Sequence, residues 1–358
     1  MNPGGGFPTK SGPVGLISQS GGGACDLVHM SMGRGLLFSV VLSYGNSCDI
    51  DAAEMLRYYE ADPNTKIVGS YLEGVPDGRS FFDALKSCAQ KKPVVIMKGG
   101  LSEEGYRGTM EHTGSMAGKK QAWQGALKSA GAIAANDMRD LVECLMALNC
   151  LEGFTGGGLG LMAGGGSRIV EGLDAASNNG FSVPAVDDKT AARIGSFLPP
   201  VGGRGANPAD LANPGLNPAM VNPIMEILAD QKDIDFLAMY QMAFLRRPGL
   251  PRRMPPPGPG SQGVVRSELW PHDEIGAKAQ EIRSKTGKPL CLVLIDNASD
   301  PDHAESEKFR FNARAFYTSH GIPCFDTGLQ AFSVLRRVAD YYLNVSPKQG
   351  KIAQRPCS

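Results

Sequence analysis

The chain has 358 residues, 42% of them hydrophobic, and its 36 lysine and arginine residues balance its 36 aspartate and glutamate residues. This length and apolar content predict two globular domains, because a single hydrophobic core stops growing at about 250–300 residues. The lack of net charge argues against a protein that binds nucleic acid or an acidic membrane surface. No apolar run approaches the roughly 20 residues that a membrane span needs.

The first half of the chain alternates short β-rich runs with helical patterns. Five strands are predicted, at residues 14–18, 38–43, 66–72, 93–98 and 132–134. Helices are predicted between and after them: one that follows the glycine turn at 21–23 and runs to about residue 33, one near 51–60, one through 81–85 and one at 138–148. Alternating strands and helices favour a parallel sheet covered on both faces, so these elements predict one flavodoxin-like, doubly wound α/β sheet.

A second cycle of the same kind begins after a glycine run. Its strands are predicted at residues 159–162, 236–242, 290–295 and 322–325, and its helices at residues 168–178, 220–229 and 307–320. The predicted fold class is therefore α/β, with two flavodoxin-like doubly wound parallel-sheet domains at residues 1–152 and 153–358. The Pro-rich segment 246–260 is predicted to be a mobile surface loop, or less favourably a docking strand, since proline lacks a backbone donor.

The eight cysteines show no Cys-x-x-Cys pair and no spacing typical of a zinc site. Most of them lie in apolar stretches, so we interpret them as reduced, buried side chains of a cytoplasmic protein and predict no metal site. Residues 1–6 have the composition of a loop, and a strand follows almost at once. We therefore expect the chain to begin at an internal boundary of something larger.

A turn of small residues joins the first predicted strand to its helix. Its members are Ser18, Gln19, Ser20, Gly21, Gly22 and Gly23. A helix N-terminus presents unpaired N–H groups and partial positive charge, and small residues let a phosphate approach closely. The turn is therefore a candidate phosphate-binding site, although a plain turn capped by Ser20 would show the same pattern. It fits neither a Walker A loop nor the Rossmann fingerprint.

A histidine follows the fourth predicted strand, after a charged, glycine-rich loop. His112 is succeeded by Thr113, Gly114 and Ser115. Because ligands bind beyond the carboxyl ends of parallel strands, residues after the first and fourth strands can meet there. An imidazole nitrogen can hold a phosphoryl or acyl group covalently. Glu73 ends the third strand and could fix the tautomer of His112 by accepting a ring N–H, unless it simply faces solvent.

The second half offers weaker candidates. Gly164, Gly165 and Gly166 form a turn at a helix start, which could also receive a phosphate. Asn207 and Asp210 lie in one turn and are candidates for ligand contacts, although a structural Asx turn explains them as well. The later histidines, which lack ligand-like neighbours, are interpreted as surface residues: His272, His303 and His320.

Several motifs of the first half stand in a characteristic order. They are Gly-Pro-Val-Gly-Leu-Ile-Ser-Gln-Ser-Gly at 12–21, Ser-Tyr-Gly-Asn at 43–46, Tyr-Leu-Glu-Gly at 71–74, Lys-Pro-Val-Val at 92–95, Lys-Gly-Gly at 98–100 and His-Thr-Gly-Ser-Met-Ala-Gly at 112–118. In sequence and spacing they resemble the ADP-forming acyl-CoA synthetases, relatives of succinyl-CoA synthetase. The second half matches more loosely, through residues 207–211 and the glycine turn at 164–166.

The resemblance implies a component of a ligase that converts an acid, CoA and ATP to acyl-CoA, ADP and phosphate, in either direction. It implies that His112 relays phosphate between the nucleotide and an acyl phosphate, and that Glu73 orients the histidine. It also implies that the turn from Ser18 to Gly22 holds the phosphate and, by analogy, that residues 164–166 supply a second phosphate-binding helix. The implied ligands are CoA, ATP or ADP, phosphate and a carboxylic acid, with Mg²⁺ held by the nucleotide domain.

Members of that family also carry a CoA-binding Rossmann domain and an ATP-grasp domain, and the sequence resembles neither. The resemblance therefore implies partner chains that supply these domains, or a chain that is a fragment, and we expect an oligomer. The glycine turn at 164–166 follows Met-Ala rather than the usual Asn-Ala-Gly-Gly type, so its phosphate site is a weaker expectation.

Two other hypotheses compete with a catalytic component. The chain could be a non-catalytic regulatory or scaffold module of the same fold that binds CoA or a partner. Degenerate copies of that kind tend to lose the histidine, whereas His112, Glu73 and the small-residue turn are all present. A flavodoxin-like flavin protein would leave the His-Thr-Gly-Ser segment unexplained.

Overall fold

The computed structural model describes residues 8–113, 120–212, 217–242, 272–295 and 304–345. The chain divides into two compact units. Unit 1 combines the residues up to Thr155 with those from Ser333 onward, and unit 2 runs from Gly156 to Phe332. Within the described residues each unit contains a sheet of five strands, so the prediction of two α/β sheets is confirmed.

Unit 1 is a doubly wound sheet with the flavodoxin strand order. Its strands are β1 (Val14–Ser18), β2 (Phe38–Ser43), β3 (Ile67–Leu72), β4 (Val94–Lys98) and β5 (Ile133–Ala135). Its helices are α1 (Gly21–Met32), α2 (Ala52–Ala61), α3 (Gly78–Lys91), α4 (Glu103–Thr113), α5 (Lys120–Ala130) and α6 (Met138–Cys150). The strands pair in parallel in the order β2-β1-β3-β4-β5, so their carboxyl ends share one edge.

The core of unit 1 lies between this sheet and its helices. Val14, Val68 and Val94 are fully buried in the strands, as expected for parallel strands covered on both faces. The helices begin where the sequence supplies a cap. Asp51 and Glu54 form a capping box at α2, and Asp137 caps α6 by accepting from Asp140 N.

Unit 2 has the same architecture, but the strands at the two edges of its sheet have only two residues each. Its strands are β6 (Leu159–Ala163), β7 (Ala209–Asp210), β8 (Phe236–Met242), β9 (Leu290–Ile295) and β10 (Cys324–Phe325). Its helices are α7 (Gly166–Asn178), α8 (Asp188–Gly195), α9 (Pro218–Ala229), α10 (His272–Thr286) and α11 (Ala304–Ser319). The order is β10-β9-β8-β6-β7, with every pair parallel, and the predicted edge strand at 322–325 is confirmed as β10.

The last helix, α12 (Gly328–Asn344), changes the predicted division of the chain. Its residues from Ser333 onward pack with unit 1, whereas the sequence placed all of 153–358 in the second domain. Arg337 donates to Asp140 Oδ1 at 2.5 Å and to Ala134 O at 2.8 Å. The hydroxyl of Tyr341 donates to Ala89 O at 2.9 Å. These contacts are the physical reason for the difference.

The segment after β4 also differs from its prediction. The expected loop becomes helix α4 from Glu103, so the main chain of His112 is helical. Ser102 Oγ accepts from Gly105 N at 3.0 Å, and acidic residues in the first turn complement the helix dipole. The side chains of residues 110–113, together with Gly114, Ser115, His303 and the loop 246–260, lie outside the described residues. No helix within the described ranges is both long and apolar enough to cross a membrane.

Candidate functional site

Polar side chains converge at the carboxyl edge of the unit 1 sheet. Gln19 follows β1, Tyr44 follows β2 and Glu73 follows β3, while Lys98 is the last residue of β4. Gln19, Glu73 and Lys98 are all at least nine-tenths buried. Ionisable and polar groups that are buried together at the ligand-binding edge of a parallel sheet indicate a functional site.

The small-residue turn after β1 is locked by its own serines. Ser20 Oγ accepts from Gly23 N at 3.1 Å, so Ser20 is the N-cap of α1. Ser18 Oγ donates to Ser20 O at 2.7 Å and accepts from Ser20 N at 3.2 Å. Both serine side chains therefore act inside the turn, and the fully buried Ser18 shapes it from below.

The backbone N–H groups of the first two residues of α1 have no partner within the helix. The first intrahelical bond runs from Ala24 N to Ser20 O, so the amides of Gly21 and Gly22 precede the helical ladder. Both glycines are exposed. A methyl group added at either would meet nothing closer than 3.9 Å, so packing does not require glycine there. The open amides can receive an anion at the positive end of the helix.

Gln19 joins the turn after β1 to the turn after β3. Its Oε1 accepts from Glu73 N at 2.6 Å and from Gly74 N at 3.0 Å. Its own backbone N–H donates to Tyr71 O at 3.0 Å. The side chain predicted to hold phosphate is thus committed, at its carbonyl oxygen, to the backbone that carries Glu73.

Only one carboxylate oxygen of Glu73 accepts a hydrogen bond from the described residues. Its Oε1 accepts from the hydroxyl of Tyr71 at 2.8 Å. Its Oε2 is buried and has no hydrogen-bond partner in the part of the chain that the structure describes. The side chain is not a solvated strand end, because Glu73 is only 9% exposed. Buried acceptors are normally satisfied, so an available oxygen here is suited to a donor that the site brings in.

Lys98 is a site residue that the sequence pattern did not single out. Its Nζ donates to Glu73 O at 2.7 Å and also to Gly99 O, and it lies 5.1 Å from the ring centroid of Trp123. Burial lowers the pKa of Lys98 to about 8, against the opposing effect of the Glu73 charge. The available signal was a lysine that ends an otherwise apolar strand at the ligand-binding edge.

Tyr44 places a second unused polar atom near Glu73. Its hydroxyl is buried and has no hydrogen-bond partner among the described residues. Burial raises the pKa of Tyr44, with smaller contributions from the charges of Asp51 and Glu73. Tyr44 therefore stays protonated at neutral pH and can offer a hydrogen bond.

The glycine turn of unit 2 lies at the carboxyl end of β6, as predicted. Gly165 has φ of 100° and precedes α7 without a side-chain cap, a conformation that favours glycine. Asp210 Oδ1 accepts from Gly165 N and from Ala212 N, each at 2.9 Å. Asp210 therefore shapes this turn and places a carboxylate against one of its amides.

Asn207 is committed to the edge of β6. Its Oδ1 accepts from Leu161 N at 2.9 Å, and its Nδ2 donates to Leu159 O at 2.8 Å and to Pro184 O at 2.9 Å. The amide thus pairs with the β6 backbone as a neighbouring strand would. A structural role for Asn207 accounts for each of these contacts.

Two of the later histidines are partly covered by an aromatic side chain. His272 is half-buried and packs edge-on against Phe316, with ring centroids 4.7 Å apart. His320 is also half-buried, and its ring stacks on Phe316 at 4.1 Å. Within the described residues, no group of three His, Cys, Asp or Glu side chains could hold a metal ion.

Residues 11–148 match the model of the succinyl-CoA ligase like flavodoxin domain family. The alpha subunit of acetate–CoA ligase [ADP-forming] I from Pyrococcus furiosus is 32% identical over 230 residues, which are 64% of this chain and 49% of that protein. Acetate–CoA ligase [ADP-forming] I from Archaeoglobus fulgidus is 31% identical over 242 residues, 66% of this chain and 35% of that protein. The chain thus spans half or less of the length of these relatives.

Solved structures share the fold across nearly the whole chain. The dinucleotide forming acetyl-coenzyme A synthetase 1 of Ca. Korarchaeum cryptofilum, in complex with phosphate and ADP, covers 97% of this chain with a TM-score of 0.72 and 23% identity. The match covers 68% of that structure's chain. Residues 11–148 thus match the succinyl-CoA ligase like flavodoxin domain, and the chain is similar over about two thirds of its length to ADP-forming acetate–CoA ligases.

Proposed function

We propose that this chain is the phosphohistidine-bearing component of an ADP-forming acid–CoA ligase. The observation that carries the proposal is the arrangement at one sheet edge of unit 1. The open amides of Gly21 and Gly22 and the buried, unpaired Oε2 of Glu73 both lie there. His112 lies in the helix that follows β4, the next strand along that edge.

The phosphate is proposed to bind at the amides of Gly21 and Gly22. The helix dipole and the unpaired N–H groups favour a dianion at this position. Ser18 and Ser20 support the site by hydrogen bonds within the turn, and Gln19 supports it by joining the turn to the backbone of Glu73. Of the turn residues, Ser18 to Ser20 are thus proposed to shape the turn, and Gly21 and Gly22 are proposed to contact the phosphate.

The proposed reaction transfers a phosphoryl group twice. A ring nitrogen of His112 attacks the phosphorus of an acyl phosphate, so that an N–P bond forms while the P–O bond to the acyl oxygen breaks and a carboxylate leaves. An oxygen of ADP then attacks the same phosphorus, the N–P bond breaks, and ATP leaves; both steps also run in reverse. Glu73 accepts the other ring N–H and stabilises positive charge on the imidazole during transfer. Thr113, Gly114 and Ser115 are proposed to complete the site beside His112.

Unit 2 is proposed to carry a second phosphate-binding helix start, at Gly164, Gly165 and Gly166. The amides at the start of α7 support this role, because the helix has no side-chain cap. The carboxylate of Asp210 occupies the Gly165 amide and opposes an anion at that point. We therefore assign the contact to Gly166 and the residue after it, with Asn207 and Asp210 as supports of the turn.

The remaining ligands are proposed to bind outside this chain's described residues. CoA and the ATP–Mg²⁺ complex require a CoA-binding and an ATP-grasp domain, from partner chains in an oligomer or from the rest of a longer protein. The name of the P. furiosus relative as a subunit alpha supports partner chains. Relatives named for acetate, 4-hydroxybutyrate and trans-ferulate leave the carboxylic acid open. Free, buried cysteines such as Cys88 and Cys144 support a location in the reducing cytoplasm.

The test is reconstitution with separately supplied CoA-binding and ATP-grasp domains. We expect ADP release that depends on both an acid and CoA, and a loss of more than about 100-fold in His112→Asn, since no other group carries the phosphate. His29→Asn, which changes an exposed histidine of α1, is the matched control and should retain activity. Full activity in His112→Asn would contradict the proposed relay and favour a scaffold role.

A further inference from the structure

Glu73 is held from three strands of the same sheet. Gln19, after β1, accepts from its backbone N–H, and Lys98, at the end of β4, donates to its backbone C=O. Tyr71, on β3 itself, donates to Oε1 of its side chain at 2.8 Å. The backbone and one carboxylate oxygen are therefore fixed by side chains that are themselves buried or half-buried.

Without a hydrogen bond to one of its oxygens, the carboxylate of Glu73 would rotate easily about its last side-chain torsion. The last side-chain torsion of glutamate is broad, so a free carboxylate exchanges its two oxygens readily. The Tyr71 hydroxyl selects Oε1 and leaves Oε2 as the buried oxygen without a partner in the described residues. One defined acceptor, in one defined direction, is what a single ring N–H requires.

We propose that Tyr71 is a positioning residue of the phosphoryl-transfer site, which acts by fixing Glu73 so that Oε2 alone is presented to the imidazole of His112. This inference rests on the proposed pairing of Glu73 with His112. The hydroxyl is a dependable donor, because burial and the bond to Glu73 raise the pKa of Tyr71 to about 12. Tyr71 touches no reacting atom and is not a catalytic residue.

Gly99 provides independent support and a second way to test the contact. A methyl group at Gly99 would lie 3.0 Å from the hydroxyl oxygen of Tyr71 and 3.4 Å from its Cε2 atom. Glycine therefore leaves the space in which the hydroxyl reaches Glu73. Gly99→Ala displaces the hydroxyl without removing it, whereas Tyr71→Phe removes it without changing the packing of the ring.

The experiment measures the imidazole pKa of His112 by NMR in the full chain labelled with ¹⁵N-histidine, with His112→Asn used to assign the signal. A neighbouring carboxylate raises a histidine pKa, so we expect Glu73→Gln to lower it by about one unit. Tyr71→Phe and Gly99→Ala should each lower it by about half as much, because the carboxylate remains but is no longer held. Tyr58→Phe, at an exposed tyrosine of α2, is the control and should leave it unchanged.

The outcomes separate this inference from the function on which it rests. A drop in Glu73→Gln with no drop in Tyr71→Phe and Gly99→Ala would overturn the positioning role and leave the Glu73–His112 pair standing. No change in Glu73→Gln would overturn the pair itself. A merely structural role of Tyr71 would change the unfolding midpoint and leave the pKa of His112 in place, which also contradicts the inference.

Discussion

Lys98 shows how a single buried side chain can shape both the site and the stability of the fold. Its ammonium group bridges the turns after β3 and β4 through two backbone carbonyl oxygens. Burial disfavours the charged form, and the hydrogen bonds and the ring of Trp123 only partly offset that cost. The protonation state of this lysine is therefore linked to folding.

We predict that Lys98 makes the free energy of unfolding depend on pH between about 8 and 10.5. The pKa of Lys98 is about 8 in the folded chain, whereas a lysine in the unfolded chain releases its proton near pH 10.5. The unfolded state binds more protons in this window, so stability rises with pH there and is lost as pH falls through 8. The difference in unfolding free energy between wild type and Lys98→Met should rise by about 3 kcal/mol across the window.

The measurement is urea denaturation of both proteins at several pH values. Lys128→Met, which removes an exposed lysine of α5, is the control. A wild-type minus Lys98→Met difference that stays flat from pH 8 to 10.5 would show that burial of Lys98 does not shift its titration.

At this scale the sequence predicted the chemistry of single residues better than their partners. Glu73 could be predicted as a site carboxylate, because a charged residue at the end of a parallel strand faces the ligand edge. Its bonds to Gln19, which lies 54 residues away, could not be predicted, because they depend on which strands are neighbours in the sheet. The sequence also predicted that Gln19 contacts phosphate. Its buried position and its bond to the backbone of Glu73 depend on the strand order, which the sequence pattern does not give.

Among the elements, helix α1 begins with two glycines that its packing does not require, at the position where we propose that phosphate binds. Its N-cap uses Ser20, and its first two glycines have no close neighbours. Glycine lowers helix stability relative to alanine, so the fold gains nothing from glycine at these positions. The benefit of glycine is close approach of a ligand to the backbone.

We predict that Gly22→Ala weakens phosphate binding without destabilising the fold. A methyl group at the start of α1 should raise the dissociation constant of inorganic phosphate about tenfold by crowding the amides, while the unfolding midpoint stays equal or rises. Calorimetric titration and thermal unfolding provide the two measurements. Gly125→Ala, an open position within α5, is the matched control and should stabilise without any effect on phosphate. Unchanged phosphate affinity in Gly22→Ala would contradict this site.

Helix α12 contributes to unit 1 through a partly buried ion pair. The side chains of Arg337 and Asp140 are 23% and 14% exposed, and the hydrogen bond from Arg337 lowers the pKa of Asp140 although burial alone would raise it. We predict that Arg337→Ala lowers the free energy of unfolding by about 1–3 kcal/mol, because it leaves the partly buried carboxylate of Asp140 without a positively charged partner.

Hydrogen exchange of α6 and β5 reports this effect within unit 1, and exchange should accelerate in Arg337→Ala. Arg79→Ala removes the exposed pair with Asp83 and should change stability by less than about 0.5 kcal/mol. Equal exchange in the two variants would show that α12 does not support unit 1.

The sequence predicted strands more reliably than helices. Strands β1, β8 and β9 were predicted with the bounds they have, since buried parallel strands appear as continuous apolar runs between turn signals. Helices α4, α8, α10 and α12 were not predicted. The glycines of α4 weaken its helical signal, and α8 has only eight residues.

At the scale of the whole molecule, the chain contains two doubly wound units, of which the first matches the succinyl-CoA ligase like flavodoxin domain, and it spans half or less of the length of the relatives described above. The fold class followed from the alternation of elements. The domain limits did not, because the residues of α12 from Ser333 onward belong to unit 1 through long-range contacts within that unit, which no local pattern encodes.

The central claim is that His112 carries phosphate, and direct labelling tests it. The full chain is incubated with γ-³²P-ATP and a supplied ATP-grasp domain, and the label is checked for stability in acid and alkali. Phosphorus bound to an imidazole nitrogen should give an acid-labile, alkali-stable label on this chain that is lost in His112→Asn. Absence of label from the wild-type chain, or its persistence in His112→Asn, would contradict the account.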